Sequence, residues 1–315
     1  MSRNYKFDVV TVGNTVADVI VHTVDGLPEK GKLVFKESIS LYSGGCAMSS
    51  AVDLAKLGAK SAIIAKIGAD SFGSFLKNEL EKYKVDTRGL ISSDYPTSAS
   101  VALIASDSER TFLHTPGANA HFSDEDIDWD IVADARIVFP SGLMIMPSFD
   151  GEPCARVLKR AQEMGKITAL DVAWDSQGLW MQKLAPCMRY IDYFMPSVEE
   201  AEKLSGETEL DKMADAFFEM GVKHIIIKLG KDGCYLRENK SSAGKYFPAY
   251  KIKPVDTTGA GDAFCAGFLF GLARDYKLEE CCKIGNAVGA HCVMQTGATA
   301  GIIAFERIQA FMREN

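Results

Sequence analysis

Short runs of β-branched and aromatic residues recur along the chain: "FDVVTV" from Phe7, "SAIIAKI" from Ser61, "RIVF" from Arg136, "ITALD" from Ile167, "IDYFM" from Ile191 and "HIIIKL" from His224. They lack the regular polar alternation of a half-exposed strand, so each has to be covered on both faces, as the helices of βαβ units do. The intervening stretches supply such helices: "CAMSSAVDLAKLG", "SFGSFLKNELEKY", "EPCARVLKRAQEMG" and "EEAEKLSG" carry apolar residues at helical spacing. Gly58, Gly165 and Gly206 stand where a glycine helix stop is expected. The alternation predicts an α/β fold, a doubly wound, mostly parallel sheet sandwiched by helices with right-handed crossovers. Ligands of such sheets bind beyond the carboxyl ends of the strands.

Two regions break the rhythm. Residues 18–39 ("DVIVHTVDGLPEKGKLVFKESI") and 96–114 ("PTSASVALIASDSERTFLH") read as polar-alternating strands with turns, and "SDSER" looks like a hairpin tip. They are expected to form one small β-sheet at the edge of a core made of residues 1–17, 40–95 and 115–315.

Bulk properties narrow the partners. With 315 residues, 47% of them hydrophobic and 24% charged, the chain is long enough for a sizeable core. Lys+Arg number 35 against 42 Asp+Glu, a net charge of −7 with no basic block, which argues against nucleic acid or an anionic membrane as partner. The N-terminus runs straight into a strand with no signal-peptide core, and no apolar run approaches the ~20 residues of a membrane span. The 8 cysteines include no C-x-x-C pair, and reduced thiols in a cytoplasmic protein are expected.

The chemistry concentrates in "PVDTTGAGDAFCAGF", residues 254–268. Gly259, Ala260 and Gly261 let backbone amides approach a ligand, and the apolar segment behind them reads as a buried helix. A small-residue turn at a helix N-terminus offers unpaired donors and the positive end of the macrodipole, which suits an anion. Asp262 falls in the first helical turn, where the dipole is expected to keep it ionised, ready to take a proton from a hydroxyl. The plainer alternative is an acid that merely caps a glycine-rich turn. The stretch is neither a P-loop, lacking G-K-[ST], nor a dinucleotide fingerprint.

"DTTGAGDAFCAGF" resembles the C-terminal signature of the ribokinase-like (PfkB) carbohydrate kinases, and "GGCAMSSAVDLAKLG" (residues 44–58) is similar to their N-terminal glycine-pair signature. The resemblance covers essentially the whole chain. It implies ATP-dependent phosphorylation of a sugar hydroxyl, with Asp262 as base, the amides of Gly259, Ala260, Gly261 and Asp262 as anion hole, and the small sheet as a lid over the acceptor. Asp18, after "VVTVGNTVAD", becomes an acceptor of two vicinal hydroxyls at the exit of the first strand, with Gly44 and Gly45 letting a ring approach the backbone. Asn14, Ser49 and the lid residue Arg110 join the implied acceptor site, and Asn119 matches a G-A-N turn. Ser49 replaces an Asn usual in the family, and Cys46 stands where ribokinases carry Lys.

"MPSVEEAEKLSG" resembles the N-x-x-E motif that positions magnesium and phosphates through water. Glu200 matches the acid, Ser197 replaces the Asn, and the pair is equally a good helix start. Lys228 and Gly230 in "IIIKLGKDGCYL", Thr258 in the anion turn, and Asn286 and Gly297 in "GNAVGAHCVMQTGA" are the implied nucleotide contacts. Asp256 matches an acid that in many members helps hold a potassium ion. The expected cofactors are thus ATP and Mg2+, with K+ at Asp256, and the exposed lid sheet is expected to pair with its twin in a homodimer. Alternatives are a nucleoside kinase of the same fold and a non-catalytic sugar sensor, the latter favoured by Ser49 and Ser197.

Overall fold

The computed structural model describes residues 5–107 and 109–315, with the side chain of Arg110 outside the description. Among the described residues, thirteen strands run in chain order as β1 (Phe7–Gly13), β2 (Val16–His22), β3 (Ser38–Gly44), β4 (Ser61–Gly68), β5 (Asp86–Ser93), β6 (Ala99–Ile104), β7 (Arg110–Thr115), β8 (Ala135–Ser141), β9 (Ile167–Leu170), β10 (Tyr193–Phe194), β11 (His224–Lys228), β12 (Cys234–Arg237) and β13 (Lys245–Phe247). The helices are α1 (Cys46–Lys56), α2 (Ser71–Lys82), α3 (Trp129–Asp134), α4 (Glu152–Glu163), α5 (Met181–Leu184), α6 (Val198–Ser205), α7 (Leu210–Glu219), α8 (Ala260–Leu272), α9 (Leu278–Cys292) and α10 (Phe305–Glu314).

Nine strands form one sheet in the order β13-β12-β11-β10-β9-β8-β1-β4-β5. All neighbours from β11 to β5 are parallel, and only β12 runs against the others, antiparallel to both β11 and β13. Successive residues of these strands feed opposite layers. Val10, Val138, Ile225 and Ile227 pack with Leu158, Leu204 and Phe217 of α4, α6 and α7. Val9, Ile137 and Ile226 pack with Phe268, Leu269, Val288 and Ile308 of α8, α9 and α10. Both faces are therefore dry, the reason the strands read as unbroken apolar runs. The sheet grows one way from β1 through β4 to β5 and the other way through β8 to β11, so the direction reverses at β1. Such a switch point opens a crevice beyond the strand ends.

The second sheet has four strands in the order β3-β2-β6-β7, reaching from Val16, ahead of position 18, to Gly44, past position 39, and from Ala99 to Thr115. Asp18 therefore lies inside β2 and not at the exit of the first strand, because the chain needs only Asn14 and Thr15 to turn from one sheet into the other. β6 and β7 pair antiparallel as a hairpin, and Ser108 of its expected "SDSER" tip lies outside the described residues. The described cysteines are all free, and no helix is long and apolar enough to cross a membrane among the described residues.

Candidate active site

Gly259 forms the N-cap of α8 at φ 78°, and no side chain caps the helix. A Cβ at Gly259 would sit 2.6 Å from the carbonyl oxygen of Ala298, so the turn needs glycine for conformation and for space. Ala260 donates its amide back to the Thr257 carbonyl at 3.3 Å, while the amides of Gly259, Gly261 and Asp262 make no such turn bond among the described residues. From Ala263 to Leu272 the helix is buried, which anchors those amides in the core.

Asp262 is partly accessible in the first turn of α8. Its carboxyl is pushed up to about 7, chiefly by burial and then by the negative charge of Asp171, with Lys228 and a bond from the Cys46 thiol acting the other way. The expectation of an acid kept ionised by the helix dipole is thus corrected. Dehydration and a neighbouring carboxylate outweigh the partial charge of the helix end.

Lys228, the last residue of β11, pairs with Asp171 at 2.7 Å, just past β9. A Cβ at Gly261 would come within 3.4 Å of Lys228 Nζ, which sets the ammonium beside the glycine turn. Burial works against that ammonium, yet Asp171 and Glu200 hold it above the ordinary lysine range. The Cys265 thiol, one turn along α8, donates to the other Asp171 oxygen at 3.6 Å.

Ser197 and Glu200 open α6 as a reciprocal capping box: the Ser197 amide donates to Glu200 Oε2 at 2.7 Å and the Glu200 amide to Ser197 Oγ at 3.2 Å. The Glu200 carboxyl is raised by burial, with Lys228 opposing and Asp171 reinforcing. Glu200, Lys228, Asp171 and Asp262 therefore form one electrostatic unit at the carboxyl edge of the sheet. No group of three or more His, Cys, Asp or Glu among the described residues converges to hold a metal unaided.

The acceptor candidates gather on the other side of Cys46. Asp18 is half-buried on β2, pushed up to about 6 by burial against the lowering bond from Ser100. A Cβ at Gly44 would lie 2.0 Å from Asp18 Oδ2, so only glycine leaves room for that carboxylate. Gly45, at φ 92°, turns the chain into α1. Asn14, just beyond β1, accepts from the Ala47 amide at 3.4 Å, and Asn119 exchanges bonds with the backbone of Thr15. Ser49 is buried with its hydroxyl unpartnered among the described residues. The two halves meet at α1, where Cys46 follows Gly45 and the Ser50 hydroxyl donates to the Asp262 carbonyl at 3.4 Å.

Other expected nucleotide and cation residues are more dispersed. Asp256 is buried and accepts the amides of Thr258 and Gly297, both at 2.9 Å. Gly297 also lies against the Tyr42 ring of the small sheet. Asn286 spends its amide on the carbonyls of Phe247 and Pro248, and Gly230 sits on an exposed turn after β11. Arg110 opens β7, its side chain outside the description. A surface depression of about 820 Å³ opens at the opposite end of the sheet, between the starts of β1 and β4, lined by Lys6, Lys60 and Tyr83, and none of these candidates borders it.

Asp171, Ser100 and His114 were missed from the sequence. An acid directly after a buried strand, as in "ITALD", was the available signal for Asp171. Ser100 and His114 become neighbours of Asp18 only through strand register.

Comparison with known proteins identifies the family and the fold. The model of the pfkB family carbohydrate kinases matches residues 6–304. An ATP-dependent 6-phosphofructokinase of Thermoanaerobacterium thermosaccharolyticum is 26% identical over 310 residues, covering 97% of this chain and 94% of that one. A ribokinase of Mus musculus is 28% identical over 305 residues, covering 92% and 90%. The structure of an Arabidopsis thaliana ribokinase complexed with ribose and ATP superposes with a TM-score of 0.84 at 25% identity, over 97% of this chain and 98% of that one. The chain belongs to the pfkB family of carbohydrate kinases, phosphotransferases that act on a hydroxyl acceptor.

Proposed function

We propose that the protein transfers the γ-phosphate of ATP to a hydroxyl of a small carbohydrate, with Asp262 as general base and the glycine turn as anion hole. The observation that carries this reading is a carboxyl raised to about 7 beside uncapped amides at the start of a buried helix. A base poised near neutrality takes a hydroxyl proton more readily than an ordinary carboxylate does. As the acceptor oxygen bonds to the γ-phosphorus and the bond to the leaving ADP oxygen breaks, charge on the equatorial oxygens meets the amides of Gly259, Gly261 and Asp262 and the Lys228 ammonium. The acceptor lies against Asp18, Asn14, Gly44, Gly45 and Ser49, with Arg110 on the lid. The nucleotide extends past Lys228 toward Gly230, Thr258, Asn286 and Gly297.

Magnesium fits the chemistry of the donors. Glu200 and Asp171 offer hard carboxylate oxygens, too few for a protein cage, and Mg2+ ordinarily keeps waters and substrate phosphates as its remaining ligands. Glu200 would hold it through water, and the ion would neutralise the nucleotide phosphates. A potassium ion at Asp256 would share a carboxylate that already ties the anion turn to Gly297. The acceptor panel that tests the whole reading, ADP release from ATP with pentoses, hexoses and nucleosides, is therefore run in potassium and in sodium. A protein that binds a sugar and never releases ADP would be a sensor, and the proposal would fall.

The small sheet supports two further proposals, a lid that excludes water and a homodimer, and the proposed location is the cytoplasm. One of its faces carries Ile39, Leu41, Val19, Val21, Val101, Leu103 and Leu113 in register. Ile39 is 69% exposed and Leu113 61%, a contiguous apolar face of the kind that marks an interface. Leu41→Glu should leave a monomer where the parent sediments as a dimer. Equal masses for both would remove the lid from the interface.

A further inference from the structure

The opposite face of the small sheet carries the acceptor side, and its polar groups are ordered. Asp18 on β2 is in register with Tyr42 on β3 and with Ser100 on β6, and Ser100 is in register with His114 on β7. One row across all four strands is therefore Tyr42, Asp18, Ser100 and His114. In the next row Ser40, Ile20, Ala102 and Phe112 follow on the same strands, with Ser40 the polar member. The row of Asp18 is polar on all four strands.

The row is linked by contact: the Ser100 hydroxyl lowers the Asp18 carboxyl against burial, and Ser100 Oγ lies 3.0 Å from His114 Nδ1. A serine hydroxyl can donate once and accept, so Ser100 can join His114 and Asp18 in one polar line. The ring is exposed, and burial of its inner part holds it below the ordinary histidine range, which favours the neutral form. Asp18 and His114 stand two strands apart, roughly 10 Å between backbones, and both project from one face, so a single polyhydroxylated ring can reach both.

We infer that Ser100 and His114 are specificity-determining residues of the acceptor site, selecting an acceptor with a hydroxyl beyond the vicinal pair held by Asp18. A free sugar has such a group. A nucleoside has none, because its ribose offers the vicinal pair and the hydroxyl that is phosphorylated. The inference rests on Asp18 as acceptor ligand and adds the choice of free sugars over nucleosides.

The test uses the intact enzyme, ADP release, and the best free sugar of a pentose and hexose panel beside adenosine, inosine and uridine. The parent should favour the sugar at least tenfold in kcat/KM. His114→Phe and Ser100→Ala should each raise the sugar KM about tenfold, the loss of one hydrogen bond, with kcat, ATP KM and thermal midpoint near the parent's. His114→Gln, which keeps a polar group at similar reach, should recover part of that loss. Nucleosides used as well as the sugar, or unchanged sugar KM in both variants while Asp18→Ala raises it, would overturn the inference alone. Unchanged sugar KM in Asp18→Ala would instead remove the acceptor site on which it rests.

Discussion

Two carboxyls in different parts of the molecule are displaced upward for different reasons. Asp262, at the head of a core helix, is raised to about 7 by burial together with the negative charge of Asp171. Asp18, on the projecting sheet, is raised to about 6 by burial alone, and a serine hydroxyl pulls it back. The first is embedded in a charge network that also contains Lys228 and Glu200, and so its basicity depends on distant elements brought together by the fold. The second depends on its own sheet. In the proposed function, proton transfer would sit where the scaffold is rigid and the amides are anchored, whereas acceptor choice would sit on a sheet with solvent at its edge, where substitutions disturb less.

The sharpest way to break that division is to remove each acid. Asp262→Asn should lower kcat by about 10²–10⁴ with acceptor binding nearly intact, the usual range for loss of a general base. Asp18→Ala should mainly raise the acceptor KM, by about 10–100-fold for a hydrogen-bonded carboxylate. Steady-state kinetics with both substrates varied distinguishes them. Near-normal turnover without Asp262, or a change in the ATP KM alone without Asp18, would erase the proposed division of labour.

A gentler measurement separates the two acids in one protein. As the proposed base, Asp262 would work only when deprotonated, so kcat should rise with pH through about 7. Asp18 accepts hydroxyl bonds best when ionised, so the acceptor KM should fall as pH rises through about 6. Asp171→Asn removes a charge that raises Asp262 and frees Lys228 to lower it further, both of the same sign. The kcat limb should therefore move to lower pH while the KM limb stays. A joint movement of the two limbs would mean that the acids are not independent.

What could be read without coordinates follows the same division. The core strands were legible because covering on both faces leaves an unbroken apolar run, and Val9 and Val10 show that each neighbour fills a different layer. The anion turn was legible because Gly259 and Gly261 have no side chain, a local requirement visible in the letters. The ionisation of Asp262 was not, since Asp171 and Lys228 are brought beside it by strands far apart in the chain. Asp18 was placed at the exit of the first strand because a two-residue turn between sheets leaves no composition signal. The partnership of Ser100 and His114 is a matter of cross-strand register, which no single strand encodes.

A third carboxyl sharpens the comparison by having no hydrogen-bond partner among the described residues. Asp53 is fully buried on α1, and neither of its oxygens has a hydrogen-bond partner among the described residues. Burial first, and then the charge of Asp262, push it well above the usual carboxylate range. A folded-state value above the unfolded one means that the stability it contributes is full below the unfolded value near 4 and is lost progressively as pH rises toward the folded value. An unsatisfied buried polar group costs about 1–3 kcal/mol. Asp53→Ala should therefore raise the thermal midpoint at pH 8 by on the order of 2–4 °C per kcal/mol relieved, with the gain shrinking toward pH 4 and kcat little changed. Calorimetric scans of both proteins across that range decide the point. A gain that is absent at pH 8, or independent of pH, would show that Asp53 is held by something that stabilises its charge, and burial without a partner would no longer explain its displacement.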